Sequence, residues 1–149
     1  MKGLGTALVT PFTEEGKIDF KALGTLIEHQ IAGGTDYLVV LGTTSEVPTL
    51  SHKEQDEIVT FVVKQVAGRM PLVLGIGGNC TAAVIEKIEG WKEILAEHFA
   101  AILSVTPYYN RPQQEGLYLH FCEIAKASPV PVILYNVPKR TGINMLPET

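Results

Sequence analysis

Five short apolar runs divide this chain, and segments with helical periodicity separate them. A run of four to eight apolar residues is typical of a buried strand, whereas apolar residues three and four positions apart form one face of a helix. The pattern predicts buried strands at residues 4–11, 37–41, 72–76, 100–105 and 130–134. Strands and helices that alternate in this way predict an α/β fold, a parallel sheet covered by helices.

Helix boundaries are marked by capping residues and glycines. Asp19 is expected to N-cap the first helix, which ends at the glycine pair 33–34. Ser51 and Glu54 have the spacing of a capping box, so they are expected to open a second helix that ends at Gly68. Thr81 is expected to cap a third helix, continuous to about residue 97, and a fourth helix is expected at 113–127.

Two architectures agree with this alternation. A doubly wound five-stranded sheet suits a chain of 149 residues, since a (βα)8 barrel usually needs about 250. However, the loop after the first strand, residues 10–16, has no glycine-rich phosphate cradle. Polar motifs instead follow several strands in turn, which is the arrangement of barrel enzymes. Chain length therefore favours the doubly wound sheet, whereas the polar motifs after successive strands favour the barrel.

Composition narrows the classes of function. The chain is 46% hydrophobic and 19% charged, which is typical of a globular domain, and its net charge of −4 argues against a nucleic-acid or acidic-membrane partner. No apolar run reaches membrane-span length, and the first residues lack the apolar stretch of a signal peptide. Cys80 and Cys122 lack metal-ligand spacing, so we expect free, partly buried thiols in a reducing cytoplasm. The four histidines do not cluster, which predicts no metal site and surface or core-edge positions for each.

The segment after the fifth predicted strand carries the most informative chemistry. Tyr135 and Arg140 leave that strand together, where a pocket rim is expected. A phenol can carry a proton, and a guanidinium can hold a carboxylate through two parallel hydrogen bonds. The pair therefore predicts a site for a small carboxylate substrate with acid–base chemistry.

Three other strands are followed by candidate motifs. Thr43 and Thr44 come after the second strand, where their hydroxyls bind a carboxylate or pass a proton unless they only form a polar turn. Tyr109 follows the fourth strand between two prolines, which suits either a proton relay or packing against a neighbouring subunit. The glycine-rich segment 75–79 after the third strand resembles an anion-cradling loop, but such short clusters are common, so it is interpreted as a tight turn in which glycines allow positive φ.

Four segments together resemble the dihydrodipicolinate synthase family: residues 5–12, 42–46, 106–112 and 135–142. The resemblance runs from about Leu4 to the last residue. It implies a (βα)8 barrel that condenses pyruvate with aspartate semialdehyde through a lysine Schiff base, in lysine and diaminopimelate biosynthesis. It also implies a homo-oligomer, a dimer or tetramer, and no cofactor.

Residue roles follow from the resemblance, motif by motif. Thr43 and Thr44 bind the pyruvate carboxylate, and Thr44 also relays protons. Tyr135 is the acid–base phenol. Tyr109 completes the relay, in the family from across a subunit interface. Arg140 binds the carboxylate of the semialdehyde.

Two departures from the family pattern accompany the resemblance. Ser45 stands where the family has a second glycine. The Schiff-base lysine of the family belongs on the sixth strand, whereas residues 1–149 cover four βα units and strand five, the N-terminal half of a barrel domain. Two alternatives therefore stay open: another 2-oxo-acid aldolase or lyase, such as a sialic-acid lyase, and a catalytically inactive half barrel. Arg140 argues against the lyase, which usually lacks an arginine at this place.

Overall fold

The computed structural model describes all residues from 1 to 149 and shows two compact units, Met1–Leu74 and Gly75–Thr149. Both are built from parallel strands and helices, so the predicted α/β class is correct. The helices and strands are β1 (Gly5–Ala7), α1 (Phe20–Ala32), β2 (Tyr37–Val40), α2 (His52–Val66), β3 (Leu72–Gly75), α3 (Thr81–Gly90), α4 (Lys92–His98), β4 (Ala101–Val105), α5 (Gln114–Ala127), β5 (Val132–Tyr135) and α6 (Pro138–Thr141).

The first unit contains three parallel strands in the order β1, β2, β3. Gly5 lies opposite Tyr37 in the first pair, and Leu38 lies opposite Leu72 in the second. The helices α1 and α2 meet through the rings of Phe20 and Phe61, whose centroids are 5.1 Å apart. The apolar faces of both helices supply the buried core of this unit, with Leu23, Ile27, Ile58, Val59 and Val62 each at most 3% exposed.

The predicted helix starts in the first unit are confirmed. The Asp19 carboxylate accepts a 2.8 Å hydrogen bond from the Ala22 backbone N–H. Ser51 and Glu54 form the expected capping box, in which the Glu54 carboxylate accepts from the Ser51 N–H at 2.8 Å and the Ser51 hydroxyl accepts from the Glu54 N–H at 3.3 Å. Local sequence therefore determines where α1 and α2 begin.

The second unit is organised around the end of β3 and the strands β4 and β5. The Ile76 N–H donates to the Leu103 carbonyl oxygen at 3.0 Å, and Val105 lies opposite Tyr135 in the parallel β4–β5 pair. Alternate side chains of β4 are fully buried, and the core is completed by α3 and α5 through Val84, Ile88, Leu117 and Ile124.

The prediction of one continuous third helix is wrong. The helix breaks into α3 and α4 because Gly90 is a weak helix former and Trp91 leaves the helical region at φ −109°, ψ 15°. Thr81 is the first residue of α3 and not its cap. Its hydroxyl instead forms a 2.8 Å hydrogen bond with Nδ1 of His120.

His120 also differs from its expected place at the surface or core edge. It is 5% exposed, and its ring meets Phe121 edge-on at 5.1 Å. Burial lowers the pKa of His120 below its ordinary value, because the charged imidazolium is poorly solvated there.

The expectation that every strand is buried fails at β1 and β5. Ala7 is exposed, and Leu134 is 46% exposed. Each of these strands is paired on one side only, β1 with β2 and β5 with β4. Beside β5 lies an apolar groove of about 340 Å³, hereafter the β5 groove, lined by Tyr118, Phe121, Cys122, Val132, Leu134 and Met145.

The glycine-rich segment after β3 is not the expected positive-φ turn. None of its three glycines has a positive φ. A Cβ on Gly77 would instead lie 2.8 Å from the Val105 backbone nitrogen, which is closer than a real Cβ contact. A glycine is needed at 77 because β4 approaches the backbone there.

Two smaller expectations can also be compared with the structure. Cys80 and Cys122 are both free, as predicted; Cys122 is half-buried, whereas Cys80 is exposed. None of the helices has the length and apolar character that crossing a membrane requires.

Candidate active site

Thr43 and Thr44 lie in the first unit, in a 3₁₀ turn (Thr43–Ser45) that directly follows β2. The chain bends sharply there, since Leu41 and Glu46 on either side of the turn have positive φ of 53° and 57°. Non-glycine residues rarely adopt such angles, and where they do the surrounding structure must hold them in place. Both threonine side chains are exposed, so their hydroxyls are free to meet a ligand.

Ser45 fixes the position of this turn relative to the segment after β1. Its hydroxyl, 2% exposed with the rest of the residue, donates to the Leu8 carbonyl oxygen at 2.6 Å. In return the Ser45 carbonyl oxygen accepts from the Thr10 hydroxyl at 2.8 Å. The serine that replaces the expected glycine therefore adds a tie to the turn and leaves both threonines in place.

Tyr135 lies in the second unit as the last residue of β5 and is half-buried. Its carbonyl oxygen accepts from the Thr106 N–H at 3.1 Å, which holds the end of β5 against the segment after β4. The next residue, Asn136, is fully engaged: its amide group donates to Asn144 Oδ1 and to the Met145 carbonyl oxygen, and it accepts from the Met145 N–H. The phenol is thus attached to a rigid backbone.

Tyr109 lies in the loop after β4, in a strained conformation. Its φ is +68°, and that of Arg111 is +50°, although neither residue is a glycine. Between them, Asn110 donates through its amide to the Asn79 carbonyl oxygen at 2.7 Å. The Tyr109 side chain is 90% exposed, an unusual value for an aromatic residue and one that suits contact with another molecule.

Arg140 lies in α6, a single helical turn that the sequence pattern did not predict. Pro138 at the first helical position was the available signal, since its fixed φ and missing N–H suit that place. The turn is closed by a 2.9 Å hydrogen bond from the Gly142 N–H to the Pro138 carbonyl oxygen, with Gly142 at φ +73°. The Arg140 guanidinium is exposed.

The candidate residues divide between the two units. Thr43 and Thr44 belong to the first, whereas Tyr109, Tyr135 and Arg140 belong to the second. Within the second unit, hydrogen bonds join the three segments that carry these residues. The side chains at 111 and 136 contribute to those joins, and sequence reasoning did not single them out because polar loop residues give no periodic signal.

The described residues contain no group of three or more His, Cys, Asp and Glu side chains arranged to hold a metal ion. Two buried hydroxyls in the second unit, those of Ser104 and Thr106, lack a hydrogen-bond partner in the protein. Both lie on or directly after β4.

Parallel strands that alternate with helices, with the candidate side chains on the segments that follow the strands, are typical of an α/β protein of the barrel class. The chain belongs to the dihydrodipicolinate synthetase family, whose sequence profile matches residues 1–149. The family expectation is therefore confirmed.

Curated and solved relatives agree with this assignment. The 4-hydroxy-tetrahydrodipicolinate synthase of Parabacteroides distasonis is 55% identical over 149 residues, which are 100% of this chain and 49% of that protein. A chloride-inhibited dihydrodipicolinate synthase from Acinetobacter baumannii, solved with pyruvate, is 42% identical with a TM-score of 0.90, and the match covers 96% of this chain and 48% of that one. A monomeric dihydrodipicolinate synthase variant gives a TM-score of 0.92 at 39% identity, over 98% of this chain and 47% of that one.

These matches decide between the two predicted architectures. The solved relatives are (βα)8 barrels, so the barrel prediction is confirmed and the doubly wound sheet favoured by chain length is wrong. Length misled because the chain spans about half the length of the curated relatives it matches.

Proposed function

We propose that residues 1–149 supply the N-terminal half of a (βα)8-barrel domain. The complete domain condenses pyruvate with aspartate semialdehyde, which is the reaction of a 4-hydroxy-tetrahydrodipicolinate synthase in lysine and diaminopimelate biosynthesis. The observation that carries the proposal is the family match over the whole chain, with every carried-over side chain except the Schiff-base lysine present in order. The Parabacteroides relative carries that name, and the Acinetobacter relative was solved with pyruvate. We further propose a cytoplasmic location and no cofactor.

The roles proposed for the individual residues use the geometry of each unit by itself. Thr43 and Thr44 bind the pyruvate carboxylate through hydroxyls that the turn after β2 leaves exposed. Tyr135 exchanges protons with the reacting carbon and oxygen atoms, from a backbone that Asn136 and Thr106 hold in place. Thr44 and Tyr109 extend this relay. Arg140 binds the carboxylate of the semialdehyde.

The nucleophile must come from outside residues 1–149 in this proposal. None of the lysines of the chain lies on a strand, where a desolvated amine would be placed. Without an amine, the pyruvate ketone cannot be converted to an iminium ion with release of water. Residues 1–149 alone are therefore proposed to be inactive.

A homo-oligomer is proposed on the exposure of Tyr109. A ring that is 90% exposed on a strained loop suits a role completed by a second subunit, as in the family pattern.

The test uses a completed enzyme, defined as residues 1–149 joined to the C-terminal half of the Parabacteroides distasonis relative. Turnover is followed as semialdehyde consumption that depends on pyruvate. Borohydride trapping with pyruvate, read by mass spectrometry, is expected to place the adduct on a lysine of the added half. An adduct on a lysine of residues 1–149, or consumption that does not require pyruvate, would refute the proposal.

A further inference from the structure

The loop that carries Tyr109 and the turn that carries Arg140 are joined by one side chain. Nε of Arg111 donates a 3.0 Å hydrogen bond to the carbonyl oxygen of Gly142. Arg111 is two residues after Tyr109, and Gly142 is two residues after Arg140. The contact therefore spans 31 residues of sequence and connects the two segments that carry Tyr109 and Arg140. The side chains of Tyr109 and Arg140 take no part in it.

The Gly142 carbonyl oxygen, which accepts this hydrogen bond, lies at the end of the turn that carries Arg140. Gly142 is the left-handed residue that ends α6, and its own N–H closes that turn on the Pro138 carbonyl oxygen. A donor that fixes the Gly142 carbonyl oxygen therefore fixes the orientation of the turn, and with it the backbone from which Arg140 projects.

The donor lies on a segment that needs support. Tyr109 and Arg111 both have positive φ, and such angles persist in non-glycine residues only where neighbouring contacts hold them. Two contacts do so here: Asn110 binds Asn79, and Arg111 binds Gly142. An exposed arginine usually gains its interactions from carboxylates, whereas Arg111 directs its Nε to a main-chain oxygen. Its structural effect is therefore on loop geometry.

We infer that Arg111 is a positioning residue, which holds the Tyr109 loop and the Arg140 turn in one arrangement and thereby governs use of the aldehyde substrate. This inference rests on the proposed function, because it takes Arg140 as the carboxylate-binding group. It assigns to Arg111 no contact with substrate.

The first test measures loop order and needs no activity. Hydrogen exchange is followed by mass spectrometry in the completed enzyme, on peptides covering residues 106–113 and 138–145. Arg111→Ala is expected to speed exchange in both peptides, because the single tie between them is lost. Arg69→Ala serves as the matched control, since Arg69 is an exposed arginine bound to Glu28 in the first unit, and it should leave both peptides unchanged. Unchanged exchange in either peptide of Arg111→Ala overturns the inference.

The second test measures which kinetic step is affected. Loss of one hydrogen bond from a charged donor corresponds to about a tenfold fall in kcat/KM for the semialdehyde, while KM for pyruvate changes less than about twofold. Arg111→Lys keeps the charge but not the Nε donor, so it should recover little of the loss. Full recovery by lysine, or an equal fall for both substrates, overturns the inference.

A double-mutant cycle identifies the residue through which Arg111 acts. In an Arg140→Ala background, Arg111→Ala should cost less than about threefold in semialdehyde kcat/KM, because the group it positions is absent. A full tenfold cost in both backgrounds contradicts the inference. If the completed enzyme makes no product with both arginines present, the proposed function fails, and the exchange measurement still decides whether Arg111 fixes the two loops.

Discussion

The Ser45 hydroxyl and the Leu8 carbonyl oxygen are joined by a buried 2.6 Å hydrogen bond, which ties the turn after β2 to the end of β1. Ser45 stands where the resemblance implies a glycine, and a glycine has no hydroxyl with which to form this bond. The bond stabilises the backbone from which Thr43 and Thr44 project.

Ser45→Ala should lower the free energy of unfolding of the completed enzyme by about 1 kcal/mol, because it removes a donor from a buried carbonyl. Ser45→Gly should cost a further ~0.5–1 kcal/mol through the added freedom of the unfolded chain. Urea unfolding measures both. Thr49→Ala is the control, since Thr49 also donates its hydroxyl to a carbonyl oxygen, that of Glu46, but is exposed. Equal costs at 45 and 49 would show that burial of the Ser45 bond has no consequence.

Tyr135→Phe removes the phenolic proton and leaves the ring. In the completed enzyme, kcat should fall by about 100- to 10,000-fold, the range for loss of a general acid–base group. Tyr118→Phe is the matched control, because Tyr118 is an exposed tyrosine on α5 and has no proposed role. Steady-state rates for both variants decide the matter, and a loss below about threefold for Tyr135→Phe would remove it from the proton relay.

Arg140→Ala should damage use of the semialdehyde more than binding of pyruvate. Loss of a charge-assisted hydrogen bond costs about 1.5–3 kcal/mol, which corresponds to about 10- to 150-fold in kcat/KM for the semialdehyde. Lys139→Ala, one residue away in the same turn, tests whether positive charge alone is responsible. Separate saturation curves for the two substrates give the answer, and equal losses for both would place Arg140 outside the substrate site.

Much of the local structure could be predicted from sequence. The caps at Asp19 and Ser51 were correct because capping depends on residues within one helical turn. The reason for a glycine at 77 was predicted wrongly because it depends on a tertiary contact. The neighbouring strand at Val105 leaves no room for a Cβ, and the local sequence does not reveal that contact. The burial of His120 was missed for the same reason, since its partner Thr81 is 39 residues away.

The positions of Tyr135 at the end of a strand and of Arg140 in the segment after it were predictable from the order of residues, whereas their roles stay predictions. The candidate site was not predictable where it depended on side chains that hold loops. Arg111 and Asn136 are polar residues in irregular segments, and their partners, Gly142 and Met145, became visible only in the structure.

The pair formed by Glu28 and Arg69 predicts a dependence of stability on acid. Two hydrogen bonds from the Arg69 guanidinium, with a third from Gln65, lower the pKa of Glu28 from 4.5 to about 2. The folded state therefore binds a proton less readily than the unfolded state. The stabilisation is fully present above about pH 4.5 and is lost as the pH falls through about 2.

Urea midpoints measured from pH 6 to pH 2 test this expectation in the completed enzyme. Glu28→Gln should show a smaller decline than the parent across that window. Glu57→Gln is the comparison, because Glu57 contacts Lys53 at a looser 3.7 Å. Parallel curves for Glu28→Gln and the parent would show that the pair does not contribute to acid stability.

Residues 1–149 alone should not behave as a monodisperse monomer. Leu134 on β5 and the β5 groove are open apolar surfaces beside a strand that is paired on one side only. Such an edge favours pairing with another chain. Sedimentation velocity at several concentrations should show association, and Leu134→Lys should reduce it by placing a charge on the exposed face. A cooperatively folded monomer at all concentrations would contradict this expectation.

The bonds that Asn136 makes to residues 144 and 145 set a limit on insertions and deletions. The side chain reaches across an interval of eight residues, and it binds both the Asn144 side chain and the Met145 backbone. A residue added or removed within that interval shifts every one of these partners out of reach while Tyr135 stays attached at its end. Changes in loop length are therefore expected to be excluded from this segment and to be tolerated only in exposed turns that no side chain ties across.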